Sequence, residues 1–226
     1  SIMVLSVSDS HFNRATYEIA VSHNAAGIIS FLEPDEEIGG LVDHFAIPVL
    51  VLGRRTDVRN VGFLRTNDEK VGELAARQLL KEGARRFAYI TVDLAVSCAA
   101  DRLRGFEEEV KKCGGELTVL NAYDGSLEEN LIKLFQNAET APEGIFCFND
   151  MLAFDVQYCI EKNALPSVKL VGCDCIQQEL HIPNKLTSVG PDKQKLAVRA
   201  TEMIVSVIES PNSDRFTETA DVFLFE

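Results

Sequence analysis

Three groups of polar residues stand directly after apolar, β-rich runs, and these are the places where binding or chemistry is expected. Asn149-Asp150 follows GIFCF (144–148), Asp174 follows KLVGC (169–173), and the stretch from Asp93 to Arg102 follows FAYITV (87–92). In open α/β sheets, ligands sit beyond the carboxyl ends of the strands. An arginine, an asparagine and an aspartate converging there would offer a donor fork, a mixed amide and a pure acceptor, a set suited to a neutral polyol or a carboxylate. A plainer role is open to each. Asn149 and Asp150 can cap the helix that follows, which is compatible with binding, and Arg102 can pair with a nearby acid.

Catalytic patterns are missing from the sequence. There is no G-x-S-x-G elbow to seat a nucleophile. There is neither a G-x-x-x-x-G-K-[ST] loop nor a G-x-G-x-x-G turn to cradle a nucleotide, so no cofactor is expected. The four histidines, His11, His23, His44 and His181, have no Cys, Asp or His at ligand spacing and read as surface or structural residues. Acid runs such as Glu107-Glu108-Glu109 read as solvated helix faces. Six cysteines are scattered through apolar runs, and their spacing fits free buried thiols in a reducing cytoplasm. The one close pair, Cys173-x-Cys175, lacks the further ligands that zinc requires, so no metal is expected.

The elements that must position these residues alternate from end to end. Strands are expected at IMVLSV (2–7), GIIS (27–30), PVLVL (48–52), GFLRT (62–66), FAYITV (87–92), LTVL (117–120), GIFCF (144–148), KLVG (169–172) and DVFLF (221–225). Helices are expected over 12–22, 36–46 and 150–162. Another starts at a cap on Asn67 or Asp68, carries Val71, Leu74, Ala75 and Leu79 on one face, and stops at Gly83. Leu103, Phe106 and Val110 line a helix ending at Gly114-Gly115; Leu127, Leu131, Leu134 and Phe135 line the next; Leu196, Ala200, Met203, Ile204 and Val207 mark a long late one. Residues 176–192 are the longest non-periodic run and read as a segment crossing between lobes; SPNSD (210–214) reads as a turn. Strands alternating with helices, the strands apolar throughout, indicate an α/β fold with parallel sheets covered on both faces.

Composition narrows the partners. The chain has 226 residues, with 46% hydrophobic and 25% charged, which is ordinary for a globular protein. No apolar run approaches the ~20 residues of a membrane span, and no signal peptide is visible. The net charge is −13, from 22 Lys+Arg against 35 Asp+Glu. DNA is bound by clustered Lys and Arg, so this piece should not hold DNA alone; a separate basic module would be needed.

Residues 67–210 resemble the effector domain of the lactose/galactose-repressor family, which has the type I periplasmic-binding-protein fold. The matching stretches are NDEKVGELAARQLLKEGARRFAYI (67–90), DRLRGFEEEV (101–110), GIFCFNDMLAFDV (144–156), VKLVGCDC (168–175) and PNKLTSVGPDKQKLAVRA (183–200); AAGIIS (25–30) and PVLVL (48–52) extend the match. Each is degenerate alone, and their order and spacing together are specific. The resemblance implies that Arg102, opening R-L-x-G-F, binds effector, that Asn149 lines the cleft, and that Asp174 contacts sugar hydroxyls or a purine. There are departures. Asp174-Cys175 stands where the family has Asp-Asp, and Gly83-Ala84 where it has Gly-His. The aromatic that often follows Gly-Asp is absent, and Tyr123, in Tyr123-Asp124-Gly125, would stand in for it. SIMVLSV matches the family's second strand, so the opening strand and helix, the hinge and the DNA-binding helix-turn-helix have no counterpart. The sequence is therefore expected to begin inside a longer product.

The resemblance implies two Rossmann-like lobes joined by crossing strands, residues 1–85 plus 192–214 and residues 86–191 plus 215–226, with a small molecule, a sugar or sugar derivative, between them. It implies a cytoplasmic homodimer in which effector binding and DNA binding by the attached module are linked. An exported sugar-binding protein of an ABC transporter is the alternative, against which the six cysteines and the R-L-R-G-F and P-N-K-L-T-S-V stretches count. An isomerase on a similar sheet would need a proton-transfer pair, and none stands at useful spacing. Truncating Arg102 is expected to abolish effector binding and spare the fold.

Overall fold

The computed structural model describes residues 2–8, 11–176, 186–210 and 216–225. The chain forms two compact units that interleave in sequence: Ser1–Thr66 with Asp192–Ala220, and Asn67–Pro191 with Asp221–Glu226. Among the described residues no helix is long and apolar enough to cross a membrane.

The first unit is a four-stranded parallel sheet in the order β11-β5-β4-β2, from β2 (Ile28–Ser30), β4 (Val49–Leu52), β5 (Val61–Thr66) and β11 (Thr217–Ala220). Successive strand side chains point to opposite faces, and β4 is apolar on both. Val49 and Val51 pack with Tyr17 of α1 (Arg14–Ser22) and with Ile38 and Leu41 of α2 (Ile38–Phe45). Leu50 instead meets Ala200, Met203 and Ile204 of the late helix α7 (Lys193–Glu209). The buried Tyr17 hydroxyl donates to the carbonyl of Ile47 at 3.0 Å, so its polar tip is satisfied within the core. A short parallel pair, β1 (His11–Phe12) with β3 (Glu33–Pro34), completes the unit.

The second unit is a six-stranded sheet in the order β12-β10-β9-β8-β6-β7. Its strands are β6 (Arg86–Thr91), β7 (Glu116–Asn121), β8 (Gly144–Cys147), β9 (Lys169–Cys173), β10 (Thr187–Gly190) and β12 (Phe223–Phe225). All pairs are parallel except β12 with β10. Helices α3 (Asp68–Lys81) and α4 (Ser97–Lys112) cover one face, where Phe87, Tyr89, Phe146 and Val171 pack with Leu79 and Phe106. On the other face α5 (Leu127–Leu134) and α6 (Asp150–Lys162) cover Ala88, Ile90, Ile145 and Cys147. The rings of Tyr89 and Phe146 stack at 4.9 Å between centroids, and Phe106 lies over Phe146 at 5.2 Å.

Helices α3 and α4 pack with their backbones in contact. A Cβ on Gly72 would lie 2.0 Å from the carbonyl oxygen of Arg102, and one on Gly105 would lie 1.9 Å from that of Glu69. No side chain fits at either place.

Several expectations are corrected. Residues 2–7 form no strand: none pairs with another strand among the described residues, and Ile2 and Val4 are 94% and 87% exposed. An apolar, β-rich run becomes a strand only where a ladder partner is at hand, and here none is. Strand β10 lies inside the run read as irregular; its polar Ser188 hides the pattern, yet that residue is buried. Of that run, residues 177–185 with His181 and the PNK of the quoted match lie outside the described residues, as do 211–214 of the expected turn. Residues 67–85, read with the first lobe, belong to the second unit because α3 packs on α4; β11 joins the first because it pairs with β5.

Gly105→Ala forces the two helices apart and should cost about 2–3 kcal/mol, in the range of core overpacking. Gly40 in α2 has open space around its Cβ position, and Gly40→Ala should stabilise by about 0.5–1 kcal/mol. Thermal unfolding followed by circular dichroism should show midpoint shifts of opposite sign.

Candidate functional site

Strands β6 to β10 of the second unit run parallel, so their carboxyl ends share one edge. The residues singled out in the sequence follow them there: Asp93 after β6, Tyr123 after β7, Asn149 after β8 and Asp174 after β9. Helices α4 and α6 begin at the same edge.

Arg102 reaches this edge from α4 and is 7% exposed. Its Nε donates to Asp68 Oδ1 at 2.9 Å and its Nη1 to the carbonyl of Phe148 at 2.5 Å. The guanidinium carbon lies 4.8 Å from the centre of the Phe148 ring, within cation–π range. Burial opposes the charge, but the Cys173 sulfur and the Asp68 and Asp174 carboxylates outweigh it and hold the pKa above its ordinary value. Arg102 is a cation at every accessible pH. Asp68 is available because Asn67 caps α3, its Oδ1 accepting from Lys70 N at 3.1 Å, which leaves the next carboxylate turned toward α4.

Asp174 stands across from the guanidinium. Its Oδ1 is 4.0 Å from Arg102 Nη2, beyond hydrogen-bond distance, and its side chain is 44% exposed. Its backbone has φ +98°, and Cys175 follows at φ +54°. Two consecutive non-glycine residues in the left-handed region need outside support. The amide of Asp174 donates to the carbonyl of Val189 at 3.1 Å, and the amide of Cys175 donates to Ser188 Oγ at 3.0 Å. Cys173, just beneath, is buried, and burial raises its thiol well above the ordinary value despite Arg102.

Asn149 caps α6: its Oδ1 accepts from Leu152 N at 2.8 Å, so only its amide nitrogen is left to serve a ligand. Asp150 is fully buried beside it and faces inward, accepting from Ser188 Oγ at 2.6 Å and from Ile176 N at 2.8 Å. Tyr123 is 76% exposed after the edge strand β7. Three strand spacings, about 14 Å, separate β7 from β9, so its backbone position is well away from Asp174. Thus Arg102 and Asp174 converge, Asn149 stands beside them on the neighbouring strand end, and Tyr123 lies on the far side of the edge.

Sequence reasoning missed Asp68 and Phe148, which hold Arg102, and Ser188, which holds the turn after β9. The Asn67-Asp68 pair is the signal that could have found the first; Ser188 has none, since only the fold brings it to Asp150. Arg102→Ala takes a cation away from the buried Asp68 carboxylate, so a stability cost is expected where the sequence alone suggested a change that spares the fold. Among the described residues, no group of three His, Cys, Asp or Glu is placed to hold a metal ion.

The sequence profile described as the periplasmic binding protein-like domain matches residues 76–221. The repressor PurR of Aliivibrio salmonicida, an HTH-type transcriptional repressor, is 22% identical over 177 residues, covering 75% of this chain and 53% of the relative. The PurR of Photobacterium profundum is 24% identical over 161 residues, covering 67% of this chain and 48% of the relative. The chain spans about half the length of the curated relatives it matches. Among solved structures, a LacI family transcriptional regulator from Enterococcus faecium with bound ribose superposes with a TM-score of 0.82 at 20% identity, covering 99% of this chain and 85% of that one. A periplasmic binding protein/LacI transcriptional regulator from Alkaliphilus metalliredigens, complexed with D-xylulofuranose, superposes with a TM-score of 0.78 at 20% identity, covering 94% and 80%.

Two predictions come from the buried groups. Removing either partner of the Arg102–Asp68 pair, as in Asp68→Ala, should destabilise the chain in denaturant unfolding by up to about 3–5 kcal/mol, because a buried charge loses its nearest counter-charge. Burial raises the thiols of Cys147 and Cys173, whereas Cys113 is exposed. Brief alkylation with iodoacetamide at pH 8 should therefore label Cys113 and leave Cys147 and Cys173 unmodified until the chain unfolds, as read by peptide mass spectrometry.

Proposed function

We propose, from the premise that this chain belongs to the periplasmic binding protein-like domain family, that it is the effector-sensing part of a transcription regulator and that its effector is a neutral polyol of sugar type. The curated relatives are named as HTH-type repressors, which supports regulation over transport. The role is binding and not catalysis. The first unit has the same kind of sheet, but the effector contacts assigned here all lie on the carboxyl edge of the second.

The carrying observation is the 4.0 Å gap between Arg102 Nη2 and Asp174 Oδ1. It is too long for a direct bond and wide enough for one oxygen to serve both. A hydroxyl fits because it accepts from the guanidinium and donates to the carboxylate together. A fully ionised phosphate cannot donate to Asp174, and the local charge disfavours any phosphate: Arg102 contributes +1 and Asp68 and Asp174 −1 each, leaving −1. An ammonium cannot accept from Arg102. Asn149 Nδ2 adds a donor at the neighbouring strand end, and Tyr123 supplies an exposed ring for a larger effector.

Binding would act through populations. An effector that favours one conformation shifts the chain toward it, and if DNA favours the other, each ligand weakens the other by the same factor. The DNA would be held by a helix-turn-helix module, in the cytoplasm, by a homodimer. Val198 and Val205 on α7, both exposed and two helical turns apart, offer apolar surface for a twofold contact.

Thermal shift against D-ribose, D-xylulose and common hexoses, each beside its phosphate ester, tests the reading. At a hundredfold excess over Kd a ligand stabilises by about 2.7 kcal/mol, about 5–10 °C for a chain of this length. A neutral sugar is expected to give that shift, its phosphate none, and Asp174→Ala to weaken the binding while leaving it measurable at higher ligand concentration. A larger shift with a phosphate ester would refute the assignment.

A further inference from the structure

Asp150 is the most completely buried acid among the described residues outside the Arg102 cluster, and the binding edge as described so far makes no use of it. We propose that Asp150 is a positioning residue for Asp174: it touches no effector and sets the conformation in which Asp174 meets one. This rests on the sensing role of Asp174 given above.

The geometry is a hub. Asp150 opens α6, fully buried, where the helix N-terminus favours a negative charge. Its Oδ2 accepts from the amide of Ile176 at 2.8 Å. Its Oδ1 accepts from Ser188 Oγ at 2.6 Å, and that hydroxyl in turn accepts from the amide of Cys175 at 3.0 Å. One carboxylate therefore fastens the two amides that directly follow Asp174, one itself and one through Ser188. These amides belong to the turn in which Asp174 and Cys175 both take positive φ, a conformation that L residues adopt only under constraint. The neighbouring strands make room for the hub. A Cβ on Gly172 would lie 2.2 Å from Asp150 Oδ1, so only glycine admits the carboxylate there.

The arrangement needs a group that accepts at both oxygens. An ionised carboxylate does this, whereas an amide presents a donor at one of them. Asp150→Asn therefore keeps size and shape and sets a donor against either Ser188 or Ile176. Ser188→Ala removes one arm and leaves the charge in place, which provides a second variant should the first fail to fold.

Amide hydrogen exchange of the ligand-free chain, followed by NMR, is the first reading. In Asp150→Asn the amides of Cys175 and Ile176, and in Ser188→Ala that of Cys175, should exchange at least tenfold faster, while those of β6 and β8 keep their protection. Unchanged exchange, or acceleration spread evenly over the second unit, would overturn the proposal. The second reading is calorimetric titration of D-ribose into wild type, Asp174→Ala, Asp150→Asn and the double variant, well below their melting temperatures. If Asp150 acts through Asp174, Asp150→Asn weakens binding at least tenfold in the wild-type background and changes nothing further beside Asp174→Ala. Additive losses would overturn it. If D-ribose fails to bind the wild type, or binds Asp174→Ala as tightly, the sensing assignment for that sugar falls, and the exchange result alone decides for or against the hub.

Discussion

The backbones of α3 and α4 touch at Gly72 and Gly105, and the edge of the second unit proposed to bind effector takes its geometry from that contact. With the helices this close, the first turn of α3 lies against the middle of α4, and the short side chain of Asp68 reaches the guanidinium of Arg102. The carbonyl and ring of Phe148, the residue after β8, then hold the same group. A long, rotamer-rich side chain is thereby fixed before any ligand arrives, which lowers the ordering cost of binding. Arg104 with the exposed Glu69 and Arg77 with Glu109, which is buried although its acid run reads as a solvated face, follow the crossing, and the exposed pair adds little by itself.

The two units spend their polar residues differently. In the first, β4 is apolar on both faces, and a buried hydroxyl such as that of Tyr17 is satisfied by a backbone carbonyl. In the second, charge is carried inside. Arg102 and Asp68 lie on the α3–α4 side of the sheet, while Asp150 and Ser188 lie under the turn after β9. Buried charge is weak evidence for stability, since well-packed apolar residues often serve as well. Its presence along one sheet edge agrees with the binding role proposed for that edge.

Much of this was legible in the sequence, and the limits have physical causes. Helix α6 has the bounds its pattern indicates, 150–162, because a cap residue, an apolar face and a closing polar pair agree there. Arg102, Asn149 and Asp174 could be found by their place after apolar strands, and the structure puts them on one edge. Long-range partnerships were hidden. The Asn67-Asp68 pair marks a helix start with a spare acid but does not name Arg102, thirty-four positions later, as its partner, and Ser188 looks like a loop residue until Asp150 is seen beside it. The stretch 2–7 misled for the converse reason: local β preference is strong there, and pairing, which is not local, decides. Helix α3 was grouped by its place in the chain, although the glycine at position 72 belongs to a helix meeting another backbone.

The first unit is split by the second, and this has a consequence for the order in which the protein matures. A ribosome completes residues 67–191, with five of the six strands of the second sheet, before α7 and β11 exist. That middle portion can begin packing as it emerges, since domains fold as units during synthesis. The earlier portion must wait. Leu50 and Leu64, which end up against Ala200, Met203 and Ile204, have no cover on the nascent chain until more than a hundred further residues have been added. For that interval one face of β4 and β5 is a bare apolar surface. It is the part of the newborn protein most in need of a chaperone, and the part where a stalled or truncated translation product would aggregate.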